Sequence, residues 1–467
     1  MAKMLITTFL GLLALLICLS QAADAAGVLP PLTATAPPPL STARAVSSAG
    51  DVGPMDLIPR VYLPIILGRG SRTFPNTTNG IFVFSDQLAT SMTEAQFQFA
   101  ATHYVGAQKM LRSDTRHLRQ YNSNFLVLHY RLGQALGYRM PDGACQPAGE
   151  YLQIINGDQW VQEWPGSVQE NWFFHQSGSR VFNCDYGHYL MELNDPGWRA
   201  WWSAQVIAQL QANENDGIFA DSYNIPNYGF NWNPALPGVD EPFETAWAER
   251  EHAFTDYMRG QFAGRWKWIP NVGAMITSRD PSDYSNVDGV MVEGFVDWGN
   301  GAYHPEGDWI LEMNNILPLV AADKIVIAQT YPDAASVDER LYVLGSYLLI
   351  KGAHTYINME GDEAPEWFPE YGVALGAPAE ALPADIATYH DLTWDVYVRH
   401  YARGMVLVNP SDTPRTIALD ATYYRVVPSG GGTVPESGLA PGSLSYPAVT
   451  SLDLCAQCGA ILLNQAP

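Results

Sequence analysis

Short apolar runs that end in polar residues recur along most of this chain. Eight of them occur from residue 80 onwards, at residues 80–86, 105–109, 124–131, 216–222, 266–273, 288–295, 324–331 and 354–361. The runs do not alternate apolar with polar positions, which is typical of strands that are buried on both faces of a parallel sheet. Four connecting segments carry helix signals, at residues 93–104, 194–215, 242–264 and 336–353. In "NDPGWRAWWSAQVIAQLQANEN", for example, Asn194 or Asp195 is the expected N-cap and Pro196 lies in the first turn.

Strands that alternate with helices predict an α/β fold, and eight such units predict a (β/α)8 TIM barrel over residues 76–394. A doubly wound sheet is the alternative, but it would favour a glycine-rich phosphate loop after the first strand, and "FSDQLATS" is not one. Beyond about residue 395 the runs become short, β-prone and separated by turn residues. Residues 395–467 are therefore predicted to form a small antiparallel, β-sandwich-like accessory domain.

The first 75 residues differ in composition from the rest. Residues 1–25 combine Lys3, an apolar stretch and small residues before a cleavage position, which is the pattern of a secretory signal peptide. Residues 26–75 are rich in Pro, Ala, Ser and Thr and predict an extended linker. We expect a secreted protein, free or associated with the cell surface, and no other segment is apolar enough to predict a membrane span.

Four cysteines remain after the signal peptide, and an even number outside the cytosol predicts two disulfides. The pairing that needs the shortest loops is Cys145 with Cys184 and Cys455 with Cys458. The "CAQC" spacing at the second pair could instead be half of a metal site, but no second pair or histidine partner supports that interpretation.

The charge and the aromatic content narrow the range of partners. The formal net charge is −23, from 25 basic and 48 acidic residues, so nucleic acid is not an expected partner. Aromatic residues make up 12% of the chain, with 14 Trp and 24 Tyr. Flat aromatic rings suit a carbohydrate site, although large cores also use them.

Two of the apolar runs carry an acid at each end. "DGIFADSYN" begins with Asp216 and reaches Asp221, and "DGVMVEGF" begins with Asp288 and reaches Glu293. The leading acids belong to Asp-Gly turns at the entrance of each strand, so they are interpreted as structural. The trailing acids lie at the carboxyl ends of strands, where barrel enzymes place their catalytic groups. Asp221 and Glu293 are therefore the candidate catalytic pair.

Paired carboxylates across a barrel mouth predict glycoside hydrolysis of a poly- or oligosaccharide. The polar neighbours of Asp221 favour an ionised nucleophile or base, whereas the apolar neighbours of Glu293 favour a protonated general acid. Two alternatives stay open: a non-catalytic carbohydrate-binding barrel and a metal-dependent barrel hydrolase. The sequence has no HxH or HExxH pattern, and neither a metal nor a cofactor is expected.

Other polar or aromatic residues near strand ends are candidates for binding the substrate. They are Asp86, Tyr130, Arg131, Asn224, Asn271, Trp298, Gln329 and Glu360.

Four segments together resemble the hypothetical glycoside hydrolase-like family 15. They are "DGIFADS", "DGVMVEGF", "PEYGVALGAP" and "GMVLVNPSD", and the resemblance spans roughly residues 78–465. It implies a TIM-barrel glycosidase fold in which Asp221 and Glu293 match the strand-end acids of the family. The cysteine-bearing segment between the third and fourth runs and the "CAQC" near the end depart from the family pattern.

Overall fold

The computed structural model describes residues 72–89, 91–137, 152–163, 168–183, 185–228, 231–237, 241–277, 280–299, 301–359, 361 and 364–467. The predicted signal peptide, most of the linker and both Cys145 and Cys184 lie outside these residues.

Eight parallel strands form a closed barrel. They are β1 (Val83–Ser85), β2 (Tyr104–Gln108), β3 (Leu126–Leu132), β4 (Gly217–Asp221), β5 (Lys267–Pro270), β6 (Gly289–Glu293), β7 (Ile325–Gln329) and β8 (Thr355–Asn358). The sheet order is β5-β4-β3-β2-β1-β8-β7-β6. The gap between β5 and β6 is closed because Asp288 N donates to Trp268 O (3.1 Å) and Val272 N donates to Met291 O (3.0 Å). Each strand coincides with one of the eight apolar runs, and the predicted TIM barrel is confirmed.

Six α-helices connect the described strands. They are α1 (Glu94–His103), α2 (Arg112–Tyr121), α3 (Pro196–Asn213), α4 (Glu241–Phe262), α5 (Glu306–Ala321) and α6 (Val337–Ile350). Helix α3 begins as the sequence predicts, because Asp195 accepts hydrogen bonds from Gly197 N (2.7 Å) and Trp198 N (3.0 Å). Between β5 and β6 the described residues contain only a 3₁₀ turn, Tyr284–Asn286. Within the described ranges, no helix has both the length and the apolarity that a bilayer crossing needs.

Asp216 and Asp288, which directly precede β4 and β6, form hydrogen bonds that stabilise the amino-terminal end of the barrel. Asp216 accepts hydrogen bonds from Arg72 Nη1 (3.1 Å), Arg119 Nη2 (2.7 Å) and Val127 N (2.8 Å). Asp288 accepts from Trp268 N (3.0 Å). These contacts join neighbouring strands at the end of the barrel opposite to Asp221 and Glu293.

The long segment between β3 and β4 forms a small antiparallel sheet together with part of the loop after β4. Three of the strands belong to the segment, Ala135–Gly137, Phe182–Asn183 and His188–Leu190, and the fourth, Trp232–Asn233, lies after β4. The start of the segment is bound to the loop after β4, because Gln134 Nε2 donates to Asn224 O (2.6 Å). Aromatic packing holds the sheet together, as in the edge-to-face pair of Phe173 and Tyr189 (5.1 Å between ring centroids). The insertion therefore lies beside the mouth of the barrel, next to β3 and β4.

A six-stranded antiparallel sheet follows the barrel. Its strands are β9 (His390–Asp391), β10 (Val396–Tyr401), β11 (Gly404–Asn409), β12 (Arg415–Arg425), β13 (Ala448–Leu454) and β14 (Cys458–Leu463), in the order β9-β10-β11-β14-β12-β13. Alternate residues of β10 to β14 share a second apolar core. The opposite face of β11 and β14 packs on helix α6 so closely that a Cβ on Gly459 would lie 2.2 Å from Leu341 O. Residues Ser71–Pro467 form one compact unit.

The predicted disulfide between Cys455 and Cys458 is present, with the two Cα atoms 5.3 Å apart. These cysteines and Asp338 form the one group of potential metal ligands found among the described residues. Both of its thiols are consumed by the disulfide.

Candidate active site

A ring of polar side chains, one from each strand, lines the carboxyl end of the barrel. Apolar residues two positions earlier on most of the strands fill the interior below the ring, among them Phe219, Ile269 and Met291. Since residues two apart on a strand face the same side, the ring members also point inward. The ring consists of Asp86, Gln108, Tyr130, Asp221, Asn271, Glu293, Gln329 and Asn358.

Asp221, at the end of β4, accepts three hydrogen bonds. Tyr130 Oη donates to Oδ2 (2.9 Å), and Oδ1 receives both Asn271 Nδ2 (2.9 Å) and the backbone N of Ser222 (2.7 Å). Ser222 adopts a left-handed conformation with φ of 54°. Three donors around one carboxyl suit the ionised form, which only accepts hydrogen bonds.

Glu293, at the end of β6, lies in a different environment. It accepts from Asn271 Nδ2 at Oε2 (2.5 Å) and from Tyr331 Oη at Oε1 (2.9 Å). Burial raises the pKa of Glu293 above its ordinary value, and the nearby carboxylates of Asp221 and Asp86 raise it further. Lys109 and the hydrogen bond from Asn271 oppose that shift. The two acids thus differ in their surroundings: donors surround Asp221, whereas burial and neighbouring carboxylates raise the pKa of Glu293.

A single amide nitrogen sets the distance between the two acids. Asn271 Nδ2 lies 2.9 Å from Asp221 Oδ1 and 2.5 Å from Glu293 Oε2, so these two oxygens are at most 5.4 Å apart. The carbonyl oxygen of the same amide accepts from Gly273 N (3.1 Å), which fixes the orientation of the amide.

The remaining ring members support this pair from both sides. Gln329 Nε2 donates to Tyr331 Oη, which in turn donates to Glu293, and Asn358 Nδ2 donates to Gln329 Oε1 (3.4 Å). Across the mouth, Asp86 accepts from Gln108 Nε2 and from Lys109 Nζ (2.8 Å).

Three of the predicted binding residues lie outside the ring. Arg131 faces the helix layer, where its Nη1 donates to Gln209 Oε1 (2.9 Å), so it is not brought together with Asp221. Asn224 lies in the loop after β4, and its side chain is close to Gly273, beyond Asn271. Trp298 covers Gly294, immediately after Glu293, so closely that a Cβ on Gly294 would lie 2.4 Å from the indole. Glu360 lies outside the described residues.

Four residues near the site were not among the predicted site residues. Gln108 and Lys109 end the weak run "VGAQK", and Asn358 lies inside the run at residues 354–361. His188 belongs to the insertion. Its Nδ1 atom is buried with no hydrogen-bond partner among the described residues, and burial lowers its pKa to about 4 although Asp221 acts in the opposite direction. The position of each run and the parity along each strand could have revealed Gln108 and Asn358, whereas no sequence signal places Lys109 or His188 near Asp221.

Comparison with known proteins identifies one family. The family model described as hypothetical glycosyl hydrolase family 15 matches residues 119–405. A search of curated proteins found no match.

Solved structures with a related arrangement are distant. One is a cycloisomaltooligosaccharide glucanotransferase from Paenibacillus sp. complexed with cycloisomaltoheptaose, at 10% identity and a TM-score of 0.32, covering 83% of this chain and 55% of that one. This chain thus spans about half the length of that protein. Others are the noncanonic maltogenic alpha-amylase AmyB from Thermotoga neapolitana (9% identity, TM-score 0.35, 82% of this chain and 98% of that one) and a Cryptosporidium parvum pyruvate kinase in complex with ADP (12%, 0.33, 65% and 67%). Likeness at this level decides neither activity nor substrate.

Proposed function

The chain belongs to the hypothetical glycosyl hydrolase family 15, and on that premise we propose that it is a secreted glycoside hydrolase that cleaves O-glycosidic bonds in poly- or oligosaccharides. The observation that carries the proposal is the pair of carboxyl groups, Asp221 and Glu293, that share the amide of Asn271 at the mouth of the barrel. One acid is held by donors that suit its ionised form, and the other has a raised pKa. This division is what glycoside hydrolysis requires.

The spacing of the pair supports retention of anomeric configuration. Retaining enzymes hold their carboxyl groups about 5–5.5 Å apart, whereas inverting enzymes need about 6.5–9.5 Å to admit a water molecule. Two oxygens of Asp221 and Glu293 are at most 5.4 Å apart. We therefore assign Asp221 as the nucleophile and Glu293 as the acid and base.

In the first step, Glu293 gives its proton to the glycosidic oxygen as the bond from that oxygen to the anomeric carbon breaks. An oxygen of Asp221 forms a bond to the same carbon, so a covalent glycosyl-enzyme results. In the second step, the ionised Glu293 removes a proton from water, and the water oxygen displaces Asp221. Both carboxyl groups then return to their starting states.

Tyr130 and Asn271 have defined tasks in this scheme. Both donate to Asp221, so they hold the attacking carboxylate in one orientation before the substrate arrives. Asn271 also contacts Glu293, so a change in its position would alter both steps. Tyr331 orients Glu293 from the opposite side.

The first test is a screen of the full chain without its predicted signal peptide. It is offered α- and β-linked polysaccharides and 4-nitrophenyl glycosides, with Asp221→Asn and Glu293→Gln run beside it. We expect the wild-type protein to release sugar and both variants to lose that activity. The anomer of the first product, followed by NMR, should match that of the substrate. An inverted first product would contradict the assignment of Asp221 as nucleophile.

Azide provides a second test of the roles. In Asp221→Ala, azide fills the vacated position and should yield a glycosyl azide of the opposite configuration to the substrate. If all proteins bind a glycan equally and none releases sugar, the barrel binds carbohydrate without cleaving it. If a chelator removes the activity, a metal-dependent hydrolase replaces the proposed mechanism.

A further inference from the structure

Across the mouth from β5 and β6, an ion pair forms the opposite wall of the site. Lys109 Nζ lies 2.8 Å from Asp86 Oδ2, and the two side chains are 21% and 20% exposed. Gln108 Nε2 donates to the other oxygen of Asp86. The pair is therefore open to the mouth and is held in place by a third side chain of the ring.

The backbone at Lys109 is strained in a way that turns this side chain inward. Lys109 has φ of 61°, a left-handed conformation that few residues other than glycine adopt. Such strain costs about 1–3 kcal/mol and persists where surrounding structure imposes it, often at functional sites. Ser222 shows the same conformation directly after Asp221, so β2 and β4 end in the same way.

The ammonium group of Lys109 retains donors for a ligand. An ammonium has three N–H donors. Among the described residues its side-chain hydrogen-bond partner is Asp86, and it also faces the rings of Tyr130 (5.4 Å to the centroid) and Phe219 (5.8 Å). Each oxygen of Asp86 accepts one hydrogen bond and has further lone pairs. A donor and an acceptor thus lie side by side, facing the mouth.

We propose that Asp86 and Lys109 form the subsite that recognises the sugar ring undergoing cleavage, by binding two adjacent hydroxyl groups of a neutral sugar. One hydroxyl donates to Asp86, and its neighbour accepts from Lys109. This inference rests on the proposed glycosidase function and specifies its substrate class.

The charges around the pair argue for a neutral ring over an acidic one. The positive charge of Lys109 is already matched by Asp86, and Asp221 adds a further negative charge nearby. Burial alone would lower the pKa of Lys109, but Asp86, Asp221 and Glu293 together raise it, so the ammonium stays charged. The carboxylate of a uronic acid in the same place would lie near the carboxylates of Asp86 and Asp221, with only the ammonium of Lys109 to balance them.

The test compares Lys109→Met with wild type on the best 4-nitrophenyl glycoside of the panel and on its monodeoxy analogues. Hydrogen bonds to charged groups should make removal of each of two adjacent hydroxyls cost wild type about 10- to 100-fold in kcat/KM. In Lys109→Met, the parent glycoside should lose a similar factor. The analogue that lacks the hydroxyl bound by Lys109 should lose nothing further, because the partner is already gone. Asp86→Asn should behave in the same way towards the neighbouring hydroxyl.

Lys267→Met is the matched control. Lys267 begins β5 at the opposite end of the barrel, 3.6 Å from Asp288, and should leave the discrimination between analogues unchanged. The proposal is overturned if the penalty for every missing hydroxyl is the same in Lys109→Met as in wild type. It is also overturned if wild type prefers a uronic acid glycoside, or if no two adjacent hydroxyls matter to it.

Failure of the proposed function would appear separately, as the absence of turnover of any glycoside by wild type. Calorimetric binding of the corresponding free monosaccharides and their deoxy forms would then replace kcat/KM in the same comparison. Equal binding of all deoxy forms by wild type and Lys109→Met would overturn the subsite independently of catalysis.

Discussion

The two acids of strand β4 allow one substitution to be made twice, five residues apart, with opposite consequences. Asp216→Asn is expected to lower stability and spare catalysis, whereas Asp221→Asn is expected to abolish catalysis and spare stability. The two variants differ from each other only in which end of the same strand has lost its charge.

The magnitude for Asp216 follows from its contacts. Its side chain and that of Arg119 are each 7% exposed, and their closest atoms are 2.7 Å apart. Burial lowers the pKa of Arg119 to about 10 although Asp216 opposes this shift, so the guanidinium would stay charged and lose its main counter-charge. Removing one partner of a buried pair costs about 3–5 kcal/mol. Since asparagine can still accept from Val127 N, we expect the lower end, about 3 kcal/mol.

Asp221→Asn should behave differently on both counts. Loss of the nucleophile should reduce kcat by at least about 10³-fold. The asparagine oxygen can keep the hydrogen bond from Tyr130 or Ser222, and a negative charge near Glu293 disappears. We therefore expect a free energy of unfolding within about 1 kcal/mol of wild type.

Urea unfolding followed by tryptophan fluorescence measures stability, and turnover of the best glycoside per folded molecule measures catalysis. The two roles would be refuted if Asp216→Asn were as inactive as Asp221→Asn while it unfolded at the wild-type urea concentration. Wild-type turnover by Asp221→Asn would refute them equally.

Three further predictions concern buried charges. Glu293→Gln should be more stable than wild type at pH 7. A carboxyl whose pKa is raised above 4.5 on folding stabilises the folded state fully below pH 4.5 and loses this contribution as the pH rises. Urea titrations at pH 4 and pH 7 should therefore show that the difference in the free energy of unfolding shrinks towards pH 4. Burial, followed by the neighbouring Glu339, raises the pKa of Asp297 to about 8. Wild type should therefore lose free energy of unfolding between about pH 4 and pH 8, and Asp297→Asn should lose less over the same range in urea titrations. Arg340 Nε lies 2.7 Å from Glu370 Oε1, and both side chains are buried. Arg340→Met should therefore lower the free energy of unfolding, measured by thermal unfolding, by about 3–5 kcal/mol, and adding Glu370→Leu should recover part of that loss. A larger loss in the double variant would contradict this.

The barrel could be predicted because its strands are buried on both faces and therefore appear as apolar runs. Helices α1, α3, α4 and α6 had capping or apolar signals, but α2 and α5 were not identified. In α2 only Thr115 and Leu118 are buried, so this surface helix has no apolar stripe to detect. Helix α5 contains Pro318, a residue that argues against a helix interior.

The site residues that follow from the alternation of inward and outward side chains along a strand could be predicted from the sequence. Asp221 and Glu293 follow from their place at the ends of β4 and β6, and the same rule places Tyr130 in the ring. Applied strictly it excludes Arg131, because adjacent residues of one strand face opposite sides and only one of them can point inward. Lys109 does not follow this rule, because its inward direction depends on a left-handed backbone conformation that no pattern in "VGAQK" predicts.

The packing of helix α6 determines where this protein can be divided. Every residue from Glu339 to Ile350 is buried, which is unusual for the outer helix of a barrel because one face would normally meet water. Strands β11 and β14 cover that face, and Arg399 Nη1 donates to the carbonyl oxygens of Leu348, Leu349 and Lys351 at the end of the helix. A chain cut after residue 394 would therefore expose an apolar helix and remove the Arg399 donor from three carbonyl groups. We expect it to aggregate on expression, while the chain that retains residues 395–467 stays in solution. The terminal sheet thus covers a face of the barrel that would otherwise be apolar and exposed, so the barrel depends on it.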